Sequence, residues 1–192
     1  MNIVLWGLEL RSTYVVEECM NSIIRRATKD DEPFLWEMLY YAAHMAEDGE
    51  VSPQAAKKDP DLLKYVQDWG RETDIGCIAL EPESHQPIGA AWIRLLIADQ
   101  KTTSYVDDVT PELAIAVLPE YLGYDVGSLL LKHLLEAAKH FYSRVVLSVR
   151  ATNPAKRLYE RMGFVVTGEI ANRVGTESLN MVIQLQTNYP DE

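Results

Sequence analysis

The sequence predicts an α/β domain of the α+β kind, with a mixed, largely antiparallel sheet flanked by helices, and three stretches carry that prediction. Residues 112–118 (ELAIAVL) form a short apolar, partly β-branched run ending before Pro119, which cannot donate to a sheet ladder. A loop bearing Gly123 and Gly127 follows, and from Val126 apolar residues recur at helical spacing through Leu130, Leu131, Leu134, Leu135 and Ala138. Residues 144–149 (RVVLSV) then read as a second buried strand, parallel to the first, and Asn153-Pro154 starts another helix, with Asn suited to the N-cap and Pro to the first helical position. Gly163 ends that helix.

The other elements follow in chain order. Residues 1–22 show no clean period and are read as an N-terminal extension; residues 23–186 form the domain and 187–192 a frayed tail. Residues 23–27 (IIRRA) begin like a strand, and Asp30 or Asp31 can cap a helix with Pro33 in its first turn. Phe34, Leu35, Met38, Leu39 and Ala42 give that helix one buried face. Gly49, Pro53 and Pro60 break the next stretch, leaving a helix over 61–69. Strands at 75–80 and 88–96 are joined by the turn-rich EPESHQP as a hairpin, 99–108 is a polar loop, and strands at 165–170 and 177–185 flank a turn at 172–175.

Composition narrows the function classes. A chain of 192 residues with 47% hydrophobic residues fits one globular domain. The net charge of −11 and pI near 4.8 argue against a nucleic-acid partner and suit a cationic small substrate better. Two cysteines, Cys19 and Cys77, make no disulfide framework, so a reducing, cytoplasmic setting is expected. The apolar MNIVLWGLEL has no basic n-region and carries Glu9, so it is read as mature sequence. No apolar run approaches the roughly 20 residues of a membrane span, and His44, His85, His133 and His140 show no metal-ligand spacing.

A strand feeding a Gly-bearing loop into a helix start is an anion site on physical grounds, because first-turn N–H groups lack intrahelical partners and the helix dipole favours negative charge there. VLPEYLGYDVGSLL, followed downstream by NPAKRLYERMGF, resembles the acyl-CoA binding core of the GNAT family of N-acetyltransferases, and the resemblance extends from Ile23 to Leu185. It implies an acyl-CoA N-acyltransferase-like fold, acetyl-CoA as cosubstrate, and transfer of its acetyl group to a small-molecule amine by direct attack in a ternary complex. The partners expected are that amine and, as an option, a second copy of the chain.

The resemblance also implies roles. The N–H groups of Gly123, Tyr124, Asp125, Val126, Gly127 and Ser128 would wrap the pyrophosphate, the Val117 N–H would meet the developing oxyanion, and Asn153 would bond the pantetheine arm. Tyr159 would protonate the leaving thiolate, and Glu112 would act as the base that frees the amine, directly or through water. Against these stand a capping Asn153, a packed Tyr159 and a solvated Glu112 at a strand end. Tyr105, Asp107 and Asp108 are lesser base candidates, while His44, Glu47 and Asp48 are either acceptor-site groups or a solvated helix end. Leu122 stands where the family carries Arg or Gln, and Asp125 replaces a glycine. These two departures motivate the alternative of a non-catalytic acyl-CoA-binding or regulatory module with a degenerate pyrophosphate loop; a scaffold that has lost the nucleotide is a third reading.

Overall fold

A computed structural model describes residues 22–186, so the extension, apart from Ser22, and the tail at 187–192 lie outside the described residues. The strands are β1 (Ile23–Arg26), β2 (Ile75–Leu80), β3 (Pro87–Arg94), β4 (Glu112–Val117), β5 (Arg144–Arg150), β6 (Val165–Ala171) and β7 (Glu177–Gln184). The helices are α1 (Glu32–Ala42), α2 (Pro60–Val66), α3 (Val126–Ala138) and α4 (Lys156–Arg161). All seven strands join one sheet in the order β1-β2-β3-β4-β5-β7-β6, antiparallel except at β4–β5.

The period-two alternation of the strands sorts their side chains into two cores. Ile78, Ala90, Trp92 and Ala114 face α1 and α2, meeting Leu35, Met38, Leu39 and Val66. Their chain neighbours Cys77, Ala79, Ala91, Ile93 and Leu113 face the other way, onto Leu130, Leu131, Leu134 and Leu135 of α3. Each fully buried Leu or Ile here is worth about 1.5–3 kcal/mol, which holds a helix layer on each face.

Three helix boundaries differ from the sequence reading, each for a local reason, and β3 ends at Arg94 rather than at residue 96. At the start of α1 the Asp31 carboxylate does not cap forward; it takes the Thr28 N–H at 2.7 Å and pairs with Arg25, so a 3-10 turn over Lys29–Asp31 precedes the helix. Helix α2 stops at Val66 rather than running to Trp69. The Arg94 guanidinium claims the carbonyls of Lys64 (3.1 Å), Gln67 (2.8 Å) and Asp68 (3.3 Å), satisfying the orphan acceptors of the helix end. Helix α4 becomes α-helical only from Lys156, although Asn153 does cap the turn, its Oδ1 accepting the Ala155 N–H at 2.8 Å.

The feature that positions the site is the β4–β5 junction. These strands pair at one position, Glu112 with Val146, where the Val146 N–H also reaches the Pro111 carbonyl at 3.0 Å. Beyond it each strand keeps only its outer partner, β4 with β3 through Val117 and β5 with β7 through Arg150. The sequence expectation of two parallel central strands therefore holds, and the structure shows them parting toward their C-terminal ends. Residues 112–114 of β4 are buried and 115–117 only partly so, because the strand loses its inner cover where β5 departs.

Candidate active site

The gap between the diverging strands opens into a cleft of about 1850 Å³. All ten residues assigned roles from the sequence line it, which their separation in the chain, from 112 to 159, did not require. Strand alternation fixes the backbone there. The Leu118 N–H donates to Ile88 of β3 at 2.9 Å, so the Val117 N–H points the opposite way, into the gap.

At the cleft's mouth, α3 begins with a run of unused donors. Its first intrahelical bond is Leu129 N–H to Asp125 O at 3.1 Å, which leaves the N–H groups of Val126, Gly127 and Ser128 without helical partners. Gly123 has φ +88 and Asp125 φ +62, so the loop takes two left-handed steps before the helix. Glycine adopts such a step without penalty, and Asp tolerates it better than most residues. Asp125 sits at the N-cap position, but its side chain makes no capping hydrogen bond and is exposed. Leu122 also faces solvent, with 63% of its surface exposed.

Tyr159 reaches the cleft from α4. Its ring packs edge-on against Phe164, with centroids 6.0 Å apart, and burial pushes its phenol up to about 12. No hydrogen bond to a described residue fixes its hydroxyl. Gly163, at φ +98, turns the chain out of α4 so that Phe164 can fold back beneath the tyrosine.

Glu112 is only 5% exposed, yet both its carboxylate oxygens are satisfied: Tyr65 donates to Oε1 at 2.7 Å and Thr102 to Oε2 at 2.6 Å. Burial raises its pKa, and the hydrogen bonds from Thr102 and Tyr65 work in the opposite direction. The Tyr65 phenol is in turn held well above its ordinary value by burial and by the neighbouring carboxylate. Neither Tyr65 nor Thr102 was singled out from the sequence. They lie 47 and 10 residues from their partner, and no local pattern marks them.

Other sequence candidates fall into two groups. Asp107 is held below the usual carboxylate range by hydrogen bonds from Thr110, with Arg144 nearby, and Asp108 by the Tyr105 hydroxyl and Lys101. Tyr105, Asp107 and Asp108 all stand outside the cleft lining. His44, Glu47 and Asp48, by contrast, line it and are bonded across it: Asn153 Nδ2 meets His44 Nε2 at 2.9 Å, and Asp48 pairs with Arg150 at 2.7 Å and Arg173 at 2.8 Å. Among the described residues no group of three or more His, Cys, Asp or Glu could hold a metal ion, and no helix is long and apolar enough to cross a membrane.

The model of the Acetyltransferase (GNAT) family matches residues 26–164. Among solved structures the chain is similar to a GNAT-family protein from Bordetella pertussis, at 20% identity and TM-score 0.63, over 84% of this chain and 94% of that one. It is also similar to the GNAT-family acetyltransferase from Streptococcus pneumoniae, at 19% identity and TM-score 0.58, over 86% and 99% of the two chains. A third similarity is to the aminoglycoside acetyltransferase AAC(6')-Ib, solved with coenzyme A and kanamycin, at 21% identity and TM-score 0.58, over 85% and 94%. At these identities the likeness is one of fold. No curated protein matches the chain in sequence.

Proposed function

Because the chain belongs to the GNAT acetyltransferase family, we propose that it transfers the acetyl group of acetyl-CoA to the amine of a small molecule, which attacks directly within a ternary complex. The observation that carries this reading is a continuous cleft with unpaired helix N–H groups at one end and a buried carboxylate at the other. Its volume, about 1850 Å³, exceeds the roughly 300–1,000 Å³ of single-ligand pockets, as a site for two substrates should.

Bound acetyl-CoA supplies the activated acetyl thioester. The N–H groups of Gly123 to Ser128 would bind its pyrophosphate, since backbone donors do most of the work in anion nests. Asn153, at the head of α4, would border the pantetheine arm. The Val117 N–H, aimed into the gap, would donate to the carbonyl oxygen as negative charge develops there.

Tyr159 would attend the leaving sulfur. Its phenol, at about 12, lies roughly 3.5 pKa units above an ordinary thiol at about 8.5, so full proton transfer would be uphill. Its contribution is then a hydrogen bond donated from Oη to sulfur as charge builds. Glu112 would take the proton of the attacking amine. Burial raises its pKa above that of a free carboxylate, which strengthens it as a base. Because both its oxygens already accept hydroxyl hydrogens, the proton would pass through a water or one of those hydroxyls.

A second reading, a non-catalytic acyl-CoA-binding or regulatory module, draws on Leu122 and Asp125. Losing one charged hydrogen bond costs about 1.5–3 kcal/mol, or roughly ten- to a hundred-fold in affinity. Calorimetric titration with acetyl-CoA, followed by acetyl-transfer assays over polyamines, amino acids and aminoglycosides, separates the readings. Binding with transfer to one amine class supports the enzyme; binding with no transfer favours the module, and no binding removes both.

A further inference from the structure

The loop after α1 is fastened to the opposite half of the sheet by one neutral tie and a set of ion pairs. α1 packs on the β2–β4 half, whereas Arg150 ends β5, Asn153 precedes α4, and Arg173 lies in the β6–β7 turn. Asp48 pairs with Arg150 and Arg173, Glu47 with Arg150 at 3.4 Å, and Asp59, at the N-cap of α2, with Arg173 at 3.2 Å. The neutral tie is the contact of His44 with Asn153. His44 is held at φ +56, a left-handed conformation that costs energy outside glycine and so calls for something to hold it.

The proton positions follow from the partners. Asn153 Oδ1 accepts the Ala155 N–H at 2.8 Å, so its amide cannot be flipped, and Nδ2 is the donor toward His44. His44 Nε2, 2.9 Å away, must then be the unprotonated acceptor, and Nδ1 carries the proton toward Glu47 Oε1 at 2.8 Å. Protonating the ring would place two donors face to face and break the tie. The charged groups facing the ring are Glu47 on its own loop and, from the other half of the sheet, Arg150 and Arg173, which are engaged by Asp48, Glu47 and Asp59.

We propose that His44 is a positioning residue: its neutral Nε2 holds the Asn153 amide against the acyl-CoA arm of the cleft, and protonation releases that amide, so that donor affinity falls as pH falls. The inference rests on the reading of the cleft as an acetyl-CoA site. Asn153 is the only described residue bonded to His44 Nε2, and its amide starts the turn that carries Tyr159.

The test is acetyl-CoA affinity by calorimetry at pH 5.5 and 8.0, in the full chain and in His44→Gln, whose side chain can offer an acceptor near the same place but does not titrate. The ratio of affinities at the two pH values is compared between the proteins, which cancels titration of the cosubstrate's own phosphate. The wild-type ratio should exceed that of His44→Gln by about two- to tenfold, the worth of one neutral hydrogen bond. Equal ratios overturn the inference while leaving the donor site standing; no binding in either protein overturns the donor-site reading and this inference with it. Ring ¹⁵N shifts of wild type at pH 8.0 give a check that needs no variant. They should report the Nδ1–H tautomer, and an Nε2–H tautomer overturns the proposal.

Discussion

The Tyr65 hydroxyl donates to Glu112 Oε1 at 2.7 Å, tying α2 to the strand position at which β4 and β5 part. With Thr102 on the other oxygen, the carboxylate is built into the floor of the cleft. Its pKa is raised chiefly by burial, so the folded protein binds this proton more tightly than the unfolded chain does. Stability from the protonated form is then fully present below the unfolded value near 4.5 and is lost as pH rises through the folded pKa. Glu112→Gln should therefore melt higher than wild type at pH 8, with the gap closing toward pH 4, while acetyl transfer falls. Thermal melts over that range check the sign; a gap that widens on acidification would contradict it.

Tyr159→Phe removes a hydroxyl that makes no hydrogen bond to a described residue, so its melting temperature should stay near wild type. If the hydroxyl stabilises the departing sulfur, kcat should drop by about 10²- to 10³-fold, as for other preorganised donors, with the KM for acetyl-CoA little changed. A marked loss of stability with kcat intact would make the hydroxyl structural.

Gly127 offers a paired test of the loop. A Cβ there would meet Leu158 Cδ2 at 3.4 Å, an ordinary contact, so Gly127→Ala should fold normally. Gly127→Glu carries bulk and negative charge to the row of free N–H groups and should abolish acetyl-CoA binding. Unchanged affinity in a folded Gly127→Glu protein, measured by calorimetry, would move the pyrophosphate elsewhere.

Arg94 anchors α2, the helix that carries Tyr65. It is 0% exposed and forks onto both oxygens of the buried Asp74, at 2.8 and 2.6 Å, while its other donors cap α2. Arg94→Met strands the Asp74 charge and should cost about 3–5 kcal/mol in urea unfolding. Adding Asp74→Leu should recover part of that loss, since a paired charge is costlier to break than to replace. Failure of the second change to help would place the main effect in α2 instead.

The sequence by itself determined the frame: the run of strands and helices, the parallel strands 112–118 and 144–149, and the loop and helix starts at Gly123 and Asn153. These are local matters of period, proline and glycine placement, and capping, which the chain writes within a few residues. Nine of the ten site residues could be named because they sit inside two short motifs that resemble a known family, and Glu112 because it begins the strand that leads into the first. Only the tertiary structure decided what surrounds them. Tyr65 and Thr102 meet Glu112, His44 meets Asn153 across 109 residues, Arg94 ends α2 early, and Asp107 and Asp108 stand outside the cleft lining, bonded to Thr110, Arg144, Tyr105 and Lys101. Such contacts depend on how the two halves of the sheet diverge and what loops cross between them, and a hydrogen bond between distant side chains leaves no period in the sequence.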